Sequence, residues 1–258
     1  MLHVRGPWND AQAHQAAMSL LMVPSWEAEL RHFTSVATPG RRLIRRPGMI
    51  PAKRVRDEVG DALRNNDATI VGLSSGRAVD DAYRRLKWHR DTLVGPLVIT
   101  HGDRPSSGQS GDAWVADVLA YADGVGACAG VVVVMADRDE VWSECSRTFV
   151  GRNGGIAHPW PEQAERMSWS NEKDMGTRYV RFPRWGTLVS HDHVAQLGGV
   201  AAIVKVVAPA VVRPLSGGVY FQLTDSVSTA MSDEAMAKQQ TFTDLAAPLL
   251  PPPVSPPG

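Results

Sequence analysis

The sequence predicts an α/β fold, a Rossmann-like three-layer core with a parallel sheet, plus a mixed or antiparallel β-containing C-terminal region. Three observations lead there. Short apolar runs at Ala68–Leu73, Leu97–Thr100 and Val131–Met135 read as strands. They begin roughly thirty residues apart, about the length of a strand, a crossover helix and two loops. The four consecutive valines from Val131 show no polar alternation, the pattern of a strand covered by helices on both faces.

The elements follow in order. Ala13, Ala16, Ala17, Leu20 and Leu21 recur near the helical period; Pro24 breaks that run, and Ser25 can cap a restart through Trp26, Leu30 and Phe33. A basic segment, with Pro-Gly or Gly-Arg turns at its ends, reads as an exposed arm or long loop. From Ala52 to Arg64, Val55, Val59 and Leu63 stand four apart, a stripe suited to covering a sheet. Asn65-Asn66-Asp67 ends that helix before the first strand. Val79, Tyr83 and Leu86 line a predicted helix running toward Arg90, and Gly95-Pro96 resets the chain for the second strand. Ser110 or Asp112 can cap a helix carrying Trp114, Val115, Val118, Leu119 and Ala122. A further helix is expected over Asp139–Phe149. Beyond Gly151, short strands are expected at Arg178–Phe182, Thr187–Ser190, Ala201–Val207 and Val219–Leu223, the last two flanking a turn at Pro214–Gly218.

These elements divide the chain into an N-terminal helical region with a basic arm (1–66), the α/β core (67–155) and an α+β extension or continuation of the same domain (156–250). Pro251–Gly258 reads as a polyproline-like tail.

Composition narrows the class. The 258 residues are 43% hydrophobic and 21% charged, as in an ordinary globule. The formal net charge is +0, which excludes a broad electrostatic pull on nucleic acid or membrane. Cys128 and Cys145 form no disulfide framework and read as buried thiols of a cytosolic protein. The N-terminus is not a basic segment leading into an apolar core, so no signal peptide is expected. Val194–Val212 is the most apolar long stretch, but Gln196, Lys205 and Pro209 would be costly at bilayer depth, so it reads as a buried strand pair. A cytoplasmic location without membrane contact is therefore expected.

The loops after the first two strands carry the chemical promise. Gly72, Ser74, Ser75, Gly76 and Arg77 combine permissive backbone, hydroxyls and a guanidinium, and amides of a following helix would meet a phosphate. His101, Gly102 and Asp103 close the second strand, while Gly111 and Asp112 open the next helix. Asp103 or Asp112 would hold a ribose hydroxyl or a divalent cation; no motif requires a cofactor. Serine and glycine at a strand end are also routine turn formers. His191-Asp192-His193 lacks the further ligands that zinc needs, so no metal site is expected there. Ser216-Gly217-Gly218 lacks the Lys-Ser/Thr ending of a phosphate-binding loop and reads as a turn.

Three pieces resemble the nucleotide-binding SLOG superfamily, of the DprA, LOG and YspA type. They are Gly72-Leu73-Ser74-Ser75-Gly76-Arg77, Val98-Ile99-Thr100-His101-Gly102, and Gly111-Asp112-Ala113 leading into Trp114, Ala116 and Asp117. Eight residues separate Gly102 from Gly111, a longer connection than that family's. The resemblance implies binding of a nucleotide or nucleotide-derived phosphate compound, with hydrolysis in some branches.

A second class stays open: a non-enzymatic structural or interaction protein of a viral or other macromolecular assembly. Arg41, Arg42, Arg45, Arg46, Lys53, Arg54 and Arg56, with no acid among them, would contact phosphate backbones nonspecifically in that case. Self-association is compatible with either class.

Overall fold

The computed structural model describes residues 2–6, 10–20, 32–37, 48–49, 54, 57, 60–61, 68–74, 84–89, 97–102, 111–134, 174 and 176–252. The chain forms two compact units, Met1–Val125 and Gly126–Gly258.

In the first unit the elements are β1 (Leu2–Arg5), α1 (Asp10–Leu20), β2 (His32–Ala37), β3 (Gly48–Met49), β4 (Ala68–Ser74), β5 (Arg84–His89), β6 (Leu97–Gly102) and α2 (Gly111–Gly124). The strands lie in the order β3-β2-β4-β5-β6-β1, and each of these pairings is antiparallel. This corrects the expected parallel, Rossmann-like core. The apolar runs at β4 and β6 do form strands, but β5 lies between them where the second half of a crossover helix was expected. The reason is local. Leu86 and Trp88 alternate with Arg85, Lys87 and His89, a period of two that outweighs the looser helical spacing of Val79, Tyr83 and Leu86. Register then sets Trp88 opposite Val71 on one side and Val98 on the other.

Phe33, expected in a restarted helix, lies in β2. Arg54, Asp57, Gly60 and Asp61 are helical, within the helix predicted over Ala52–Arg64. Helix α2 forms where its apolar period predicts and buries Trp114, Val115, Val118, Leu119, Tyr121 and Ala122. The Tyr121 hydroxyl donates to the Ala16 carbonyl at 2.9 Å, tying α2 to α1. Burial pushes that phenol far above its ordinary pKa, so it remains a neutral donor.

The second unit contains β7 (Ala129–Val132), β8 (Gly186–Ser190), α3 (His191–Gln196), α4 (Val200–Val207), β9 (Val211–Leu215), β10 (Gly218–Gln222) and α5 (Asp233–Ala246). Its strands run β7-β8-β10-β9, again antiparallel throughout. Every residue of β7, β8 and β10 is buried. Of the valine run, Val131 and Val132 lie in β7 and are buried on both faces, which an antiparallel sheet also provides when both sides are covered, whereas Val133 and the half-buried Val134 follow the strand.

Ala201–Val207, predicted as a strand, belongs to helix α4, so Val194–Val212 is not a strand pair. An apolar run of this length is ambiguous by pattern alone. The flanks decide it. Gly198 and Gly199 adopt positive φ of 89° and 87° at the entry, and Ala208 closes the helix in the left-handed region with its N–H on the Val204 carbonyl at 3.0 Å. Arg178–Phe182 is not a continuous strand, although Val180 bonds the Leu249 carbonyl. Thr187–Ser190 lies in β8, and Val219–Gln222 in β10. The helix expected over Asp139–Phe149 and residues 253–258 of the tail lie outside the described residues.

The core of this unit joins Phe221 of β10 to Phe242 of α5, edge to face at 5.6 Å and 81°. Close backbone approach sets the remaining geometry: a methyl at Gly218 would overlap the Val189 carbonyl. Among the described residues no helix is long and apolar enough to cross a membrane.

Two substitutions test this packing. Gly218→Ala should lower unfolding free energy by about 2–3 kcal/mol or more, because backbone rather than a flexible side chain must yield. Ala208→Gly should raise it by up to about 1 kcal/mol, relieving the left-handed strain of an L-residue at some cost in chain entropy. Urea denaturation midpoints measure both.

Candidate functional site

The residues singled out by the sequence fall in two groups. Gly72 lies within β4, opposite Thr34 and Lys87, and Ser74 ends that strand opposite His32 and Arg85. His101 and Gly102 end β6, opposite Arg85 and Arg84. Ser74 and His101 thus flank Arg85 at one end of the sheet, about 10 Å apart at ordinary strand spacing. Gly111 and Asp112 start α2, with Asp112 exposed. Ser75, Gly76, Arg77 and Asp103 lie outside the described residues. So do Arg41, Arg42, Arg45, Arg46, Lys53 and Arg56 of the basic segment, whereas Arg54 is helical and exposed.

Nearness of two strand ends is not a nucleotide site. The proposed cradle needed a helix after β4, whose first amides would point at a phosphate. The next described element, β5, pairs antiparallel with β4, and residues 75–83 between them lie outside the described residues. The crevice beyond the carboxyl ends of parallel strands, where such ligands sit, is absent from an antiparallel order. The nucleotide-binding reading is therefore corrected. Among the described residues no group of three His, Cys, Asp or Glu is placed to hold a metal ion.

The second unit holds a buried polar pair that sequence reasoning missed. Ser190 is the N-cap of α3, and its Oγ accepts the His193 backbone N–H at 3.3 Å. The same Oγ lies 2.9 Å from His193 Nδ1. Because His191-Asp192-His193 is helical, the two imidazoles do not share a face: His191 is exposed and His193 buried. The available signal was Ser190 followed three residues later by His193, the position where a capping box carries Glu or Gln.

A serine–histidine contact invites a nucleophile–base reading, and the geometry refuses it. A catalytic histidine has its second nitrogen oriented by a carboxylate. Among the described residues, His193 Nε2 is buried without a hydrogen-bond partner, and Ser190 Oγ is engaged as a cap in a site closed to solvent. Desolvation lowers the His193 pKa below its ordinary 6.5, against weaker raising effects of the Arg178 backbone and the Asp192 charge. The pair is a neutral structural clasp.

A second network serves the same end. Trp185 Nε1 donates to Thr224 Oγ1 at 2.8 Å, and Gln222 Nε2 donates to the carbonyls of Thr224 and Asp225. The Tyr220 hydroxyl donates to Gln222 Oε1, its pKa pushed up by burial. Thr187 Oγ1 accepts the Arg184 N–H at 2.9 Å and donates to the Arg184 carbonyl at 3.0 Å. These side chains clamp the turn into β8 to the exit of β10.

The clasp has a pH signature. With a folded value below 6.5, the unfolded chain takes up the His193 proton first as pH falls. The stability contributed by neutral His193 is present above 6.5 and is lost as pH falls from there through the lower folded value. Between about pH 7.5 and about pH 5 the denaturation midpoint should fall more steeply in wild type than in His193→Gln, which cannot titrate. Equal slopes would refute the assignment.

No family model matches the chain, and no curated protein matches it. Among solved structures, the chain is similar to the Pseudomonas aeruginosa T6SS protein PA0821, with a TM-score of 0.56 over 97% of this chain and 72% of that one. Sequence identity is 12%, so the likeness is one of fold alone.

Proposed function

We propose that this chain is a non-catalytic interaction protein, acting by binding another macromolecule within a larger assembly. The carrying observation is the fold likeness to a T6SS protein across 97% of the chain. The chemistry of the described residues supports the same reading. The buried polar side chains of the second unit, among them Ser190, His193, Gln222 and Thr224, engage one another or the backbone. A protein whose polar interior is closed in this way acts through its surface.

Gel filtration of extracts from source cells producing the full chain at native level tests the reading. The chain should elute in a defined complex well above its 27.9 kDa mass, and high salt or a surface charge reversal should shift it to the monomer position. Elution as a free 27.9 kDa monomer under all growth conditions would overturn it.

A further inference from the structure

Helix α4 is apolar nearly all round, although it lies at the surface of the second unit. With about 3.6 residues per turn, Ile203 and Val207 fall on one side, Val204 and Val206 on the two flanks, and Ala201 and Lys205 on the side opposite. Ile203 and Val207 are buried, and the helix packs on α5. Among the described residues the rest of its surface has no such cover: Val200, Val204 and Val206 are 37%, 39% and 51% exposed, and Ala201 and Ala208 are exposed as well. A helix hydrophobic on every side is ordinarily a buried one. Valine is also a poor helix former, and at an exposed position it gains no packing to offset that preference.

The charge on this helix and its flanking chain bears on its cover, beside the exposed acids of the helices packed on it, Asp192 of α3 and Asp233, Glu234 and Asp244 of α5. From Val194 to Thr224 the only charged side chains are Lys205 and Arg213, both exposed, and no acid is present. Lys205 stands at the centre of the outward face and, among the described residues, makes no ion pair or hydrogen bond. A two-fold contact between copies through this face would bring Lys205 against its own counterpart, a like-charge arrangement that opposes association. A bilayer surface would call for a richer basic face than one lysine on an eight-residue helix.

Resting on the interaction reading above, we propose that the outward face of α4 is the docking surface. Its occupant is a different protein chain, which presents a carboxylate to Lys205 from within an apolar patch that covers Val204, Ala201 and Val206. Aliphatic contacts would exclude water around the central ion pair, the arrangement in which a single pair discriminates most strongly between partners.

The test uses the full chain in source cells, with a photo-crosslinking phenylalanine derivative at Val204 or at Val206, and at the exposed Gln240 of α5 as control. The surface positions should each link to the same protein, at a peptide in which Asp or Glu sits among apolar residues. Binding of that purified protein should weaken roughly tenfold or more with Lys205→Glu and recover when the facing carboxylate is changed to lysine. Circular dichroism of Lys205→Glu should match wild type, and Lys205→Arg should retain binding if the fold is intact. Crosslinks from Gln240 alone, or unchanged affinity in folded Lys205→Glu, would overturn this surface while leaving the interaction reading in place. Crosslinks from none of the positions would overturn both. Self-association abolished by Val204→Asp would assign the face to a second copy, and binding to phosphatidylglycerol vesicles abolished by Lys205→Glu would assign it to a membrane; either result overturns the proposal.

Discussion

Burial of three neighbouring strands is the constraint on which the second unit depends. Every residue of β7, β8 and β10 is out of solvent, so each backbone N–H and C=O there has to find a partner within the protein. Strand pairing meets most of that demand. Where the ladder ends, side chains take over: Thr187 closes on the Arg184 backbone, and Gln222 reaches the carbonyls of Thr224 and Asp225. Ser190 caps α3 where β8 turns into helix. The polar core is thus a consequence of sheet burial. Thr187, Ser190 and Gln222 bond backbone groups, while Trp185 and Tyr220 bond the side chains of Thr224 and Gln222.

The same constraint explains what could be read from the sequence and what could not. The positions of β4, β6, β8, β10 and α2 follow from apolar runs and from the helical period of Trp114, Val118 and Tyr121. The direction of pairing does not follow from those runs. An all-valine stretch reports that both faces are covered, and a covered strand can be parallel or antiparallel. Direction was settled by β5, a six-residue strand whose short alternation of Leu86 and Trp88 with Arg85, Lys87 and His89 competes with the helical spacing of Val79, Tyr83 and Leu86. Once β5 stands between β4 and β6, those two strands point the same way without adjoining. The thirty-residue rhythm of a βαβ unit is then reproduced by a meander. The α4 misreading has a parallel cause: Val, Ile and Ala in a run interrupted by Lys205 alone satisfy both periods, and the Gly198-Gly199 entry and the Ala208 exit distinguish them.

The candidate site was legible as positions and not as chemistry. Ser74 and His101 do share one end of the sheet through Arg85, but the nucleotide crevice required adjacent parallel strands, and β4, β5 and β6 pair antiparallel. Conversely, His193 read only as one member of a His-Asp-His triplet without a metal site. A helical turn separates its fate from that of His191, burying one ring and leaving the other in water. The lesson is specific: residue type located polar groups, whereas the local period decided whether they faced solvent.

A closed polar interior and an uncovered apolar helix are complementary facts. Hydrophobic burial stabilises each unit through surfaces that face inward, such as Phe221 against Phe242. Exposed valine on α4 contributes nothing of that kind to the isolated chain, and Lys205 keeps the face hydrated while it is free. Covering the face removes apolar area from water and at the same time strips solvent from the lysine. The first effect favours many partners indiscriminately; the second penalises any partner lacking a carboxylate at that point. Affinity and selectivity therefore come from different atoms of one short helix, and neither requires a catalytic group elsewhere in the fold.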